Sequence, residues 1–253
     1  MQRELFEIGG LTIYAYGTML FLAFLIGIGW ALREAPKENI DRDHFMEASI
    51  IAIILAILGS RIAYVAVYWE YFQDAPWWSI FAFRDGGLIF YGGFFAALLG
   101  ALIYCRYRRM SFFSLMDLAA PFIALGYAIT RVGCFLNGCC YGEFTDVPWG
   151  VVFPVLQDGI RHPTQLYSSF AVLFIFVLLR LARPLKYFNG FIFILFVTLY
   201  GVYRFIVEFY RVDPNVLSSL SLAQIVALVM VAAGAFVLVW KKKQSDQRML
   251  SQR

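Results

Sequence analysis

Residues 214–240 read PNVLSSLSLAQIVALVMVAAGAFVLVW, 27 residues without one charged side chain, and Lys241, Lys242 and Lys243 follow at once. About 20 apolar residues in a helix cross the ~30 Å hydrocarbon layer, and basic residues collect on the cytoplasmic side. The stretch therefore reads as a transmembrane helix that ends in the cytoplasm. Working outward from it, uncharged runs also cover 8–32 (25 residues), 86–105 (20 residues) and 187–203 (17 residues). The composition agrees, with 61% apolar and 15% charged residues, 6 Trp, 15 Tyr, 26 Phe and a mean hydropathy of +0.71. Soluble domains carry about a quarter charged residues, and so heavy an aromatic load excludes a disordered chain. The fold class is an all-α polytopic membrane protein.

Seven transmembrane helices are expected, at 12–32, 46–68, 88–105, 114–133, 164–182, 189–209 and 219–240. The second contains Arg61, the fourth Asp117 and Arg131, and the sixth Arg204 and Glu208. Between and after them, Arg33, Lys37, Arg42, Arg106, Arg108, Arg109, Arg180, Arg183, Lys186, Lys241, Lys242, Lys243, Arg248 and Arg253 fall on one side. These 14 stand against 4 on the other, Arg3, Arg84, Arg161 and Arg211. Such alternation places the N-terminus outside (periplasmic) and the C-terminus in the cytoplasm.

A single seven-helix domain over 1–243 is expected, with a loop at 134–163 on the outer face and a loose polar tail at 244–253. The Trp- and Phe-rich segment 69–87 suits the headgroup zone, and the glycine- and aromatic-rich loop 134–163 suits ordered structure. Glu4 and Glu7 precede the first apolar run, which reads as a permanent span and not a cleaved signal. The net charge of +4 sits in short loops and the tail. No basic face with interleaved contacts marks a nucleic-acid partner.

Arginine inside a span costs ~2.5–3.5 kcal/mol on insertion scales, so each should face protein, water or a bound anion. Arg61, Arg131 and Arg204 all fall in the outer halves of their spans. Arg204, for example, lies about 21 Å along from Gly190 at 1.5 Å per residue. Glu208 is the one in-span acid at that depth, since Asp117 is at the opposite end of its helix. Three guanidinium groups against one carboxylate leave positive charge that an anionic ligand would complete. Snorkelling or internal ion pairing is the alternative. Tyr200, Arg204, Glu208 and Arg211 share a stripe of roughly 80° on the sixth helix, fit to line a cavity or a helix seam.

Residues 131–142, RVGCFLNGCCYG, end the fourth span with Gly133, Gly138 and Gly142. Such a turn exposes N–H groups able to hold phosphate oxygens, and Asn137 adds an orientable amide. Cys134, Cys139 and Cys140 fit a metal poorly, because Cys-x4-Cys-Cys lacks tetrahedral spacing and the only histidines are His44 and His162. They read as small buried fillers. Phe90-Tyr91-Gly92-Gly93 opens the third span, where paired glycines admit a neighbouring helix or a lipid. His162-Pro163-Thr164-Gln165-Leu166-Tyr167 opens the fifth, and His162 is either a base or a helix cap.

Arg131–Gly142, His162–Tyr167 and Tyr200–Arg211 resemble the prolipoprotein diacylglyceryl transferase family of bacterial inner membranes. Tyr14-Ala-Tyr16-Gly17, Gly59-Ser-Arg61-Ile-Ala-Tyr64 and Gly86–Gly93 extend the resemblance over nearly the whole chain. It implies a transferase of the cell inner membrane that acts in lipoprotein biosynthesis, with its site toward the outer leaflet. The diacylglyceryl group of phosphatidylglycerol would pass to the lipobox cysteine thiol of a prolipoprotein peptide, and glycerol 1-phosphate would leave. No metal or organic cofactor is implied. By the same resemblance Arg131 and Arg204 clamp or polarise the phosphate, and Tyr200 orients the headgroup or the thiol. Asn137, Gly142, Arg61, Tyr16 and Glu208 serve binding or support. His162, Gly92 and Gly93 join them as candidate substrate contacts.

Two departures from the family matter. Many members have histidine where Tyr91 stands, and Cys134 and Cys139 replace residues that are often Asn and an acid or amide. The general base is then Tyr91, His162 or solvent, and a tyrosine near pKa 10 serves only if nearby cations lower it. A thiol–disulfide oxidoreductase built on the cysteines and an anion or lipid transporter are the competing readings.

Overall fold

The computed structural model describes residues 4–8, 11–82, 86–154, 156, 159–211, 215–217 and 220–251. Arg3, Arg84 and Arg253, used above to weigh the loops, and residue 219 at the head of the last expected span lie outside the described residues. The helices are α1 (Ala15–Glu34), α2 (Arg42–Val67), α3 (Trp69–Gln73), α4 (Phe90–Tyr107), α5 (Phe112–Asn137), α6 (Thr164–Ala182), α7 (Phe191–Glu208) and α8 (Leu222–Ser251). All but α3 are long and apolar enough to cross a membrane, so the described residues hold seven spanning helices. The chain is a multi-pass membrane protein.

Three two-stranded antiparallel pairs accompany them. β1 (Glu4–Ile8) pairs with β2 (Leu11–Tyr14), β3 (Val151–Val152) with β4 (Ile160–Arg161), and β5 (Asn215–Leu217) with β6 (Leu220–Ser221). The first pair moves the start of the first span from 12 to Ala15, because Thr12, Ile13 and Tyr14 favour extended backbone. α2 starts four residues earlier than expected. Asp41 precedes it and its carboxylate accepts from the backbone N–H groups of Asp43 (2.8 Å) and His44 (3.1 Å), which cap the helix. The His44 and Asp43 amides hold that carboxyl below the usual range. Residues 244–251, expected as a loose tail, continue α8, since Gln, Arg, Met and Leu are good helix formers.

The chain divides into two compact units, Leu32–Leu115 and Met1–Ala31 with Met116–Arg253. In the smaller unit α2 packs on α4 through facing glycines. A Cβ on Gly59 would lie 2.7 Å from the Gly92 carbonyl oxygen, one on Gly92 2.5 Å from the Gly59 oxygen, and one on Gly93 2.6 Å from the Ala56 oxygen. Close backbone approach of this kind is the usual seam between helices in lipid. The neighbour that Gly92 and Gly93 admit is thus α2.

Arg61 on α2 is also placed otherwise than expected. Its guanidinium donates to the carbonyls of Ile80 (2.7 Å), Ser79 (2.7 Å), Gly86 (2.7 Å) and Gly87 (3.2 Å), between the rings of Tyr64 and Phe72. Only 5% of it is exposed. A planar fork with five N–H donors suits several backbone acceptors at once. Arg61 therefore fastens Ser79 and Ile80 to Gly86 and Gly87.

In the larger unit Asp117 of α5 is 1% exposed and answers the start of α7. Its carboxylate accepts from the backbone N–H groups of Gly190 (2.7 Å) and Phe193 (2.9 Å) and pairs with Lys186 (3.1 Å). A carboxylate at a helix N-terminus meets both the unpaired amides and the positive end of the dipole.

Replacing Asp117 by Ala should lower stability by about 2–3 kcal/mol through loss of the caps and the buried pair. A fall in the unfolding midpoint in detergent would report it. Arg61→Lys should leave the helices intact but speed limited proteolysis within 74–87 at least roughly tenfold, as charged hydrogen bonds worth ~1.5–3 kcal/mol are lost.

Candidate active site

The site is built in the larger unit, where α5 and α7 each carry an arginine one turn beyond a tyrosine. On α5 the Arg131 Nη2 group donates to the Tyr127 hydroxyl at 2.5 Å, and the guanidinium lies 4.6 Å from the centre of the same ring. The Tyr127 and Tyr203 hydroxyls are 3.2 Å apart. Tyr127, Tyr200 and Tyr203 meet edge to face, with centroids 5.5–6.3 Å apart. A phenol oxygen and a ring face stabilise a guanidinium, by about 0.5–2 kcal/mol for the ring, without neutralising it. Among the described residues no carboxylate pairs with Arg131. Tyr127 and Tyr203 were not among the residues singled out in sequence. The i, i+4 spacing of Tyr127 to Arg131 is the signal that would have found the first.

Arg204 is answered instead by Glu208, one turn on along α7. Glu208 is 5% exposed. It also accepts from the Ser221 hydroxyl (2.8 Å) and lies 3.8 Å from Arg211 Nε. Ser221 in turn heads α8. The Gln224 side chain accepts from the Ser221 amide (2.9 Å) and the Ser221 hydroxyl from the Gln224 amide (3.2 Å), a reciprocal capping box. The two expected partners of the sixth span thus form a pair, and a third helix holds its carboxylate.

The described residues of the long connection after α5 are tied by backbone hydrogen bonds. The Gly138 amide donates to the Phe135 carbonyl (3.1 Å) and the Cys139 amide to the Cys134 carbonyl (3.1 Å), with Gly138 at φ 72°. This is a Schellman ending, and it leaves Asn137 as the last helical residue. Further on, the Gly142 amide donates to the His162 carbonyl (2.9 Å), the Glu143 amide to Tyr210 (3.0 Å), and Gly142 pairs with Arg211 as an antiparallel bridge. A Cβ on Gly142 would come within 2.7 Å of the Thr164 methyl and 2.8 Å of the His162 Cβ. Gly142 is therefore a crossing point that ties the loop to the end of α7.

His162 Nδ1 lies 3.1 Å from the Tyr167 hydroxyl, and its ring packs edge-on against Tyr210. α6 begins at Thr164, so Pro163 stands just ahead of its first helical residue. Arg161, which sequence reasoning passed over as a loop charge, is buried and lies 3.8 Å from the Phe144 ring centre and 5.1 Å from that of Tyr141.

Tyr16, on the first turn of α1, sits where that helix meets α5. A Cβ on Gly133 would lie 3.3 Å from the Tyr16 Cα and 2.9 Å from the Met19 Cβ. The larger unit thus collects Tyr16, Arg131, Asn137, Gly142, His162, Tyr200, Arg204 and Glu208. Tyr91, Arg61, Gly92 and Gly93 belong to the smaller one. Tyr91 is 67% exposed at the start of α4, edge-on to Phe90.

The end of α5 also draws three thiols together. The Sγ atoms of Cys134, Cys139 and Cys140 all lie within 4.8 Å of one another. All are free. The neighbouring thiols of Cys134 and Cys139, together with the charges of Arg131 and Arg211, hold the Cys140 thiol well below its ordinary range.

The family model for prolipoprotein diacylglyceryl transferase matches residues 3–240. Relatives named phosphatidylglycerol–prolipoprotein diacylglyceryl transferase match end to end. One from Finegoldia magna is 36% identical over 98% of this chain and 100% of its own. One from Clostridium tetani is 38% identical over 94% and 96%, and one from Clostridioides difficile 33% identical over 98% and 99%. Matched over almost its full length in both comparisons, the chain belongs to the prolipoprotein diacylglyceryl transferase family.

Proposed function

We propose that this enzyme moves the diacylglyceryl group of phosphatidylglycerol to the lipobox cysteine thiol of a prolipoprotein and releases glycerol 1-phosphate. Sulfur attacks the glyceryl carbon that bears the phosphate ester, a C–S bond forms, and the C–O bond breaks. The electron pair leaves with the phosphate oxygen and the thiol gives up its proton. Negative charge grows on the departing phosphate, so a cation beside it stabilises the transition state more than the ground state. The observation that carries this role is Arg131, a guanidinium in a spanning helix whose partners are a phenol and a ring face, with no carboxylate among the described residues. Arg204, oriented by Glu208, is the second phosphate ligand, and Tyr200, edge-on to Tyr127 and Tyr203, orients the headgroup. Asn137, Gly142 and Tyr16 border the same end of α5.

The setting we infer is a bacterial inner membrane, with the N-terminus and the arginine site on the outer side. Both substrates, phosphatidylglycerol and the lipobox peptide, are held by the bilayer itself.

His162 already meets Tyr167, and Tyr91 is an exposed side chain on α4. Solvent is therefore the proton acceptor we favour, with the rate following ionisation of the peptide thiol near pH ~8.5.

Incubation of the purified enzyme with phosphatidylglycerol and a lipobox peptide should add a diacylglyceryl mass to the peptide and release a glycerol phosphate. Arg131→Ala and Arg204→Ala should each reduce the rate by about 10²–10³ while remaining folded. Full turnover by either would remove its assigned role. In pH–rate profiles Tyr91→Phe and His162→Asn should both keep the rise with pH, and loss of that limb in one would identify it as the base.

A further inference from the structure

We propose that Cys134, Cys139 and Cys140 form a three-thiolate site for one thiophilic metal ion of the zinc class. The Sγ atoms of Cys139 and Cys140 are 3.8 Å apart, and all three sulfurs lie within 4.8 Å of one another. Three sulfurs around one ion at the usual ~2.3 Å Zn–S distance stand ~3.8–4.0 Å from each other, so the triangle closes by moving its widest edge about 1 Å or less.

The backbone, and not a chance choice of rotamers, brings them together. Cys134 is in the last turn of α5, and the chain doubles back through Gly138 at φ 72°. Cys140 then takes φ 62°, a conformation that a side chain with a Cβ adopts at a cost. Two side chains at the start of α6 hold the doubled strand in place. Gln165 Nε2 donates to the Cys139 carbonyl (2.6 Å) and Thr164 Oγ1 to the Cys140 carbonyl (2.8 Å). Both residues are buried, at 0% and 1% exposure. Cys134 is buried, Cys139 half-buried and Cys140 exposed, so an ion can enter from the Cys140 side.

Each thiol that ligates the ion releases its proton to water and nothing is oxidised. A water molecule completes the coordination. This site needs no assumption about the transfer reaction, and its test reads metal alone.

The full-length protein in detergent, reduced and then stripped with chelator, is titrated with Cd²⁺, and the thiolate-to-metal charge-transfer absorbance is followed. One ion per chain with the intensity of three thiolates, displaced by Zn²⁺, is expected. Cys134→Ser, Cys139→Ser and Cys140→Ser should each weaken binding roughly a hundredfold or more. Cys105→Ser, in the smaller unit, should leave it unchanged. Failure of the unaltered protein to take up one Cd²⁺ overturns the proposal without recourse to any variant. Full affinity in Cys134→Ser overturns it too, since two adjacent thiols would then suffice.

Discussion

An ionised side chain drawn into an apolar layer must be met by groups of opposite polarity, and the way each is met sorts structural charges from functional ones. Asp117 receives two backbone amides and a lysine ammonium. Arg61 receives four carbonyls, and Glu208 a guanidinium and a hydroxyl. Asp117 and Arg61 hold one piece of chain to another, whereas Glu208 orients the Arg204 guanidinium. Among these in-span charges Arg131 alone is met by a neutral phenol and the face of its ring. Solvation of that kind makes a buried cation tolerable without cancelling its field, and the residual field is what a phosphate would feel.

The same sorting explains why the site clings to the C-terminal ends of α5 and α7. Tyr127 gives Arg131 a polar floor, Glu208 holds Arg204, and the loop beyond α5 is sewn to the end of α7 through Gly142, Glu143 and His162. A transferase that joins a lipid to a peptide at the membrane would need fixed charge more than an elaborate pocket, since the bilayer would confine both reactants.

Four of the seven spans were legible because uncharged runs of 17 to 27 residues admit little else, and the alternation of basic loops placed the others. Their ends were less so: strand-forming residues claim 11–14 ahead of α1, and α8 runs on through a polar segment that composition alone marks as loose. Gly92 and Gly93 declared a close neighbour without naming it, since a helix and a lipid make the same demand on a small residue. The role of Arg61 was hidden for a different reason. Its acceptors are main-chain carbonyls 18 to 26 residues further along, and carbonyls leave no trace in side-chain identity. The meeting of three sulfurs was hidden likewise, because linear spacing does not reveal a chain that reverses through two left-handed residues. Ser221 and Gln224, by contrast, spell their capping box in the sequence itself.

Glu208 draws part of its support from the hydroxyl that opens α8. Until α8 packs beside α7, the carboxylate opposite Arg204 lacks one of its anchors. Docking of that helix and tuning of the charge are thereby the same event, and a chain cut before Ser221 keeps the guanidinium groups but not their finished arrangement.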